Sequence, residues 1–163
     1  MKKPLLLVSL LMISNAGVGM SIFDVGKVCT FSQISGVILN HGEPVKNTII
    51  VRRVDYQGDS EDETRTDDMG HFTMPSLFER SVTKLLPQEF VVGQSLLIQR
   101  DGELVEFHMG VKRKPEENVE GRGKALEVTC ELTDEKVSFY VGGNAFVTKC
   151  KWEVEHDVID TGF

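Results

Sequence analysis

The chain has 163 residues, with 25 acidic side chains against 18 basic ones and a formal net charge of −7. An acid excess of this size repels phosphate backbones and anionic bilayers, which excludes nucleic acid and charged membrane surfaces as favoured partners. The length suits one domain around one core, and no internal repeat or low-complexity tract suggests more.

Met1-Lys2-Lys3 is followed by Pro4, an apolar run over 5–13, and Ser14-Asn15-Ala16. A cationic start, a short apolar stretch and a small-x-small ending make up a secretory signal. The run is too short to cross a bilayer, which takes about twenty apolar residues. Residues 1–16 are therefore expected to be a cleaved signal peptide, with cleavage as far as Met20 as the fallback. Residues 17–28 then form a leader to a single domain over 29–163. The expected location is periplasmic or secreted, with no integral membrane segment once the signal is gone.

A first strand is predicted over 31–39, ending in the turn Asn40-His41-Gly42-Glu43-Pro44. Residues 47–56 alternate apolar and polar side chains and are rich in β-branched ones, as a half-buried strand is. Residues 58–63 read as an acidic loop, and 63–67 with 71–74 as a hairpin around Gly70. Phe78, Val82, Leu85 and Leu86 then recur at helical spacing until Pro87, which predicts one short helix over 77–86. Strand patterns resume over 93–100 and 104–111, joined by Asp101-Gly102, a strong hairpin dipeptide. A charged loop follows from Lys112 to Gly123, and strands over 125–132, 136–141 and 145–154 complete the set, with Gly142-Gly143-Asn144 as a tight turn. The fold class is all-β: a β-sandwich with one short helix and a C-terminal β extension.

The densest local signal is Thr66-Asp67-Asp68-Met69-Gly70-His71-Phe72. Asp67 can accept from the backbone that follows it, Gly70 can take positive φ, and Phe72 returns the chain to the core. Together with Gly36-Val37 and Gly42-x-Pro44-Val45 upstream, it resembles the carboxypeptidase-regulatory-like, or transthyretin-like, domains. The likeness is close over residues 33–76 and loose over the 55 that follow. It implies a Greek-key sandwich of transthyretin-like or Ig-like type, serving as a binding or spacer module, with no catalytic residues to carry over.

Cys29, Cys130 and Cys150 suggest one disulfide and one free thiol in an oxidising compartment. Cys130 with Cys150 is the favoured pair, with Trp152 packed against it two positions on. In a flat meander of the last strands, however, those two cysteines would stand about 9 to 10 Å apart. A disulfide needs Cα atoms within about 7 Å. The pair thus requires the last strand to leave that sheet, and a Cys29 linkage to Cys130 or Cys150 stays open.

No Gly-x-Ser-x-Gly elbow, His-Glu-x-x-His or phosphate-cradling loop occurs, so the chain reads as non-enzymatic. His41, His71, His108 and His156 have no second ligand at metal spacing, and residues 59–63 lack the sixth-position glycine and twelfth-position acid of an EF-hand. No cofactor or metal is expected. The expected function is binding of another exported or periplasmic protein, as an immunity protein or inhibitor that occludes a toxin or effector. The alternative is a small-ligand or divalent-cation carrier or sensor. The residues proposed for contact are Phe78, Leu85, Leu86 and Phe90 as an apolar centre and Glu61 and Glu63 as an acidic rim.

Overall fold

The computed structural model describes residues 26–81 and 89–158. The signal peptide, most of the leader, Val82, Leu85, Leu86 and Pro87 lie outside them.

The protein is an all-β sandwich. One layer is a six-stranded antiparallel sheet, in spatial order β11 (Val137–Val141), β12 (Asn144–Thr148), β9 (Glu103–Lys112), β8 (Val92–Arg100), β4 (Ile49–Asp55) and β5 (Asp59–Arg65). The other holds a five-stranded sheet of β13 (Cys150–Lys151), β10 (Leu126–Glu131), β2 (Ile34–Asn40) and β3 (Glu43–Pro44), with β6 (His71–Met74) also on β2. β1 (Lys27–Phe31) and β7 (Leu77–Arg80) pair as a separate two-stranded antiparallel ribbon. Side chains from both layers, among them Phe31, Ile38, Ile50, Phe72, Leu96, Phe107 and Val128, form one buried cluster. The period-two burial of β10, β6 and β12 shows why the sequence alternates there.

The helix predicted over 77–86 is not formed in its described part. Leu77–Arg80 is a strand paired with Lys27–Phe31, and Phe78 projects outward at 51% exposure. The apolar spacing of Phe78 suits an outward strand position as readily as a helical face, and tertiary pairing decides between them. The same pairing draws Lys27 and Val28 into the sandwich, the latter fully buried, so the leader does not extend to residue 28. Among the described residues, helical structure is a single 3-10 turn, Val119–Gly121.

The segment 66–70 is a corner rather than a hairpin. It carries the chain from β5 in one sheet to β6 in the other. Asp67 Oδ1 accepts from the amides of Met69 and His71 at 2.8 and 2.9 Å, and these bonds hold the Asp67 carboxyl below the usual range. Gly70 has φ +77, and its carbonyl accepts from the amide of Ile38 on β2. A Cβ at Gly70 would stand 2.7 Å from the Ile38 carbonyl and 3.3 Å from Pro44 and Val45. The two separated pieces of the sequence signature are therefore in direct contact. Gly70→Ala combines a left-handed backbone with a backbone clash, and a loss above about 1 kcal/mol is expected in a urea melt. An unchanged midpoint would contradict the corner geometry.

The last strands do not form a flat meander. β10 belongs to the five-stranded sheet, β11 and β12 to the six-stranded one, and the chain then crosses back so that β13 pairs with β10. Cys130 and Cys150 are register partners with Cα atoms 3.9 Å apart and form the disulfide; Cys29 is a buried free thiol. Breaking the bridge is expected to cost about 3 kcal/mol, read as the shift between oxidised and reduced protein in a denaturant melt. Peptide mapping that finds Cys29 in the major linkage would contradict the crossing.

Candidate functional site

Because strand partners share a face, the registers of the six-stranded sheet define its outward surface. One row across it reads Tyr140, Ala145, Val111, Gly93, Asp55, Asp59. The next reads Ser138, Val147, Met109, Ser95, Arg53, Glu61. The β11–β12–β9 side is apolar, with Met109 38% and Tyr140 43% exposed, and the β4–β5 side is charged. Between them, along β8, runs a groove of about 580 Å³ floored by Gly93 and Ser95 and walled by Met109, Val111, Arg53, Asp55, Asp59 and Glu61.

Residues 59–63 are therefore not a loop. They belong to an edge strand, and each of its charges has a defined face. Glu61 lies opposite Arg53 and accepts from its Nε at 2.7 Å; Glu63 lies opposite Val51 on the same outward face. Asp62 points the other way, where both its oxygens accept from the buried Arg52 guanidinium at 2.8 and 2.6 Å. Arg52 also donates to the Pro75 carbonyl and sits over the Phe31 ring, 5.0 Å from its centroid. Alternation along a strand, which the charge run hides, sends one acid inward to a guanidinium and the others to the surface.

Beneath this face lies a second concentration of polar groups, sealed from solvent. Lys112, at the end of β9, is fully buried and donates to Glu120 Oε2 at 2.9 Å and to the Glu116 carbonyl at 2.8 Å. The Ser32 hydroxyl donates to the same Glu120 oxygen at 2.6 Å, and Gln94 Nε2 lies 3.3 Å from the other. Ser32 accepts from the Asn118 amide at 2.8 Å and lies 3.8 Å from the Cys29 sulfur, whose pKa burial pushes up. Serine, lysine and glutamate in this order could in principle activate a nucleophile. Here Ser32 and Lys112 are fully buried and Glu120 is 1% exposed, so the array is closed to solvent. It ties the loop over 113–123 to the end of the sandwich, with Trp152 Nε1 donating to the Glu120 carbonyl above it.

His108 extends this interior. Its Nδ1 is 3.0 Å from the Thr148 hydroxyl, and its ring lies near those of Phe146 and Trp152. Burial lowers its pKa from 6.5 to about 4, against the opposing pull of Glu120 and Glu106. The unfolded chain takes up this proton below about pH 6.5 and the folded one only near 4, so stability is full above that window and falls as pH drops through it. A loss on the order of 3 kcal/mol is expected between pH 7 and 4. The urea midpoint of His108→Leu should fall less over the same range, and parallel curves for the two proteins would contradict the assignment.

Of the residues proposed from sequence for partner contact, Glu61 and Glu63 lie on the outward face and Phe78 is exposed on the β1–β7 ribbon. Phe90 is only partly exposed; it packs against the core, with its ring 5.3 Å from that of Tyr56. The structure does not bring Phe78 and Phe90 onto the face that carries the two acids. Phe72 is core, and Trp152 packs against the cluster that contains the disulfide, with the Phe139 and Phe146 rings 5.1 and 5.3 Å away. Sequence reasoning missed Met109, Tyr140 and Gly93, although the phase of the strand over 104–111 would have put Met109 opposite to Phe107 and His108 only if the bulge beside Leu96 had been known. It also assigned Lys112 to a solvated loop. The inward phase it shares with His108 and Gly110 was the available signal. Among the described residues, no group of three or more His, Cys, Asp or Glu side chains is placed to hold a metal ion.

Residues 34–135 match a family described as a domain of unknown function, DUF6795. The match spans more than half of the chain, and the chain belongs to that family. No curated protein and no solved structure matches it.

Proposed function

We propose that this DUF6795 protein is an exported, non-enzymatic protein-binding module, acting as a periplasmic immunity protein or inhibitor that occludes a toxin or effector. The observation that carries this reading is the outward face of the six-stranded sheet, where Met109 and Tyr140 stand exposed beside Val111, Ala145 and Val147 with acidic side chains at one border. An apolar centre with a charged border is the usual division of labour in a protein interface: anchors supply affinity, charges steer approach. The partner chemistry that fits is a surface with apolar anchors and net positive charge, complementary to a chain of net charge −7. The N-terminal signal pattern and the resemblance to transthyretin-like modules support export and a binding role. The contact surface proposed here replaces the apolar centre expected around Phe78 and Phe90.

Photo-crosslinking in the periplasm tests it. A photoreactive residue at Met109 should give a discrete protein adduct, identified by mass spectrometry, which the same probe at the exposed Glu127 on the other layer does not give. Equal adducts from both positions, or none from Met109, would count against the reading.

A further inference from the structure

The groove along β8 contains a vacancy that the fold itself does not require. Gly93 lies within a nine-residue strand flanked by β4 and β9, where glycine weakens a sheet and marks a close approach by something else. Its φ is not positive, and among the described residues a Cβ there would meet only the Asp55 side chain, at 3.4 and 3.9 Å. Neither backbone conformation nor packing therefore demands glycine. Across the same row, Asp55 and Asp59 stand directly opposite one another, a like-charge pairing that costs stability in a sheet. Among the described residues neither forms an ion pair with a cation, whereas Glu61 and Glu106 are matched by Arg53 and Lys136.

Read across the strands, the row runs apolar at Val111, empty at Gly93, acidic at Asp55 and acidic again at Asp59. Strands are spaced about 4.8 Å apart, so the distance from Val111 to Asp55 is about 10 Å, the scale of a long basic side chain laid across the sheet. Such a side chain places methylenes on apolar surface and its charge at the far end. We propose that the Gly93 vacancy receives a lysine or arginine of the protein partner, its stem against Val111 and Met109 and its cation between the carboxylates of Asp55 and Asp59. This rests on the reading of the outward face as a protein-binding surface, and names the residue type it takes.

Titration of ¹⁵N-labelled protein with the blocked tripeptides Ac-Gly-Arg-Gly-NH2 and Ac-Gly-Lys-Gly-NH2 tests it, with the norleucine tripeptide as the uncharged isostere and calcium chloride as the bare cation. The basic peptides should shift the amides of Gly93, Asp55 and Asp59 with a Kd on the order of 1 to 10 mM. Norleucine should bind at least about tenfold more weakly. Gly93→Val, whose β-branched side chain suits a strand, should abolish the shifts while the rest of the spectrum stays dispersed, and the Asp55→Asn, Asp59→Asn double variant should do the same. Equal binding of norleucine, equal binding to Gly93→Val, matching shifts from calcium alone, or no shift at Gly93 would each overturn the assignment. If Met109 crosslinks to a partner while the peptides leave Gly93 unmoved, the protein-binding face stands and the lysine or arginine assignment falls. If the peptides bind as expected while Met109 gives no adduct, the groove holds a basic side chain and the protein-binding reading falls.

Discussion

Glu120→Ala is expected to destabilise the protein by about 3 to 5 kcal/mol, because it leaves the buried Lys112 ammonium without its counter-charge. Lys112 keeps the Glu116 carbonyl and a 3.4 Å approach to Ser32, neither of which carries a full negative charge. Ser32 and Gln94 lose acceptors at the same time. The cost of burying an unpaired charge exceeds the net worth of the pair, so the double variant Lys112→Met, Glu120→Leu should recover most of the loss. Equilibrium urea unfolding of the three proteins reads this directly. A single-variant loss below about 1 kcal/mol would mean that Lys112 reaches water, and the sealed network would be wrong.

Phe72→Ala is expected to cost about 3 to 5 kcal/mol by opening a cavity in the core. Phe72 is 3% exposed, and its register partner on β2 is Gly36. Gly36 cannot grow into the space, because a Cβ there would come within 2.0 Å of the Val128 carbonyl on the neighbouring parallel strand β10. The site is thus bounded by backbone on that side and collapses poorly, which puts the loss toward the upper end of the range. The unfolding midpoint measures it; a loss under about 1.5 kcal/mol would show that neighbouring side chains close the gap.

Local signals in the sequence mark most strands and the turns that bound them. Asp101 and Gly102, with φ 51 and 84, form the tight turn that their dipeptide implies, and Arg100 pairs with Glu103 across it. The corner at Gly70 was legible as a turn but not as a change of sheet, since Asp67 and Gly70 specify the bend and only long-range pairing of β6 with β2 specifies where it leads. Pairing of β10 with β2 is parallel and joins residues some ninety positions apart, which no local pattern announces. The candidate face was less legible still. It depends on which strands are neighbours: Asp55 and Gly93 become a groove only because β4 pairs with β8. Glu61 and Glu63 stood out as charges, yet their role follows from strand phase, and composition alone made them a loop.

Turn chemistry shows the same division. Glu131 accepts from the amides of His41, Gly42 and Thr133 and from the Thr133 hydroxyl; the Thr133 bonds and then the Gly42 amide lower its pKa to about 2. Asp157 accepts from the amides of Gly142 and Gly143, and these bonds lower its pKa. Both turns were visible in the sequence as glycine-bearing breaks. The distant carboxylates that fasten them were not, because the ties run across 89 and 15 positions.

The affinity of the Met109-crosslinked partner for the isolated protein, compared with its affinity for Met109→Asp and Tyr140→Asp, tests the protein-binding face most directly. Both substitutions lie on exposed positions, so near-ultraviolet circular dichroism should match the parent. A loss of affinity of at least about tenfold in each is expected, roughly 1.4 kcal/mol or more. Unchanged affinity in folded variants, with a loss instead in Phe78→Asp, would contradict the sheet face and return the contact surface to the β1–β7 ribbon.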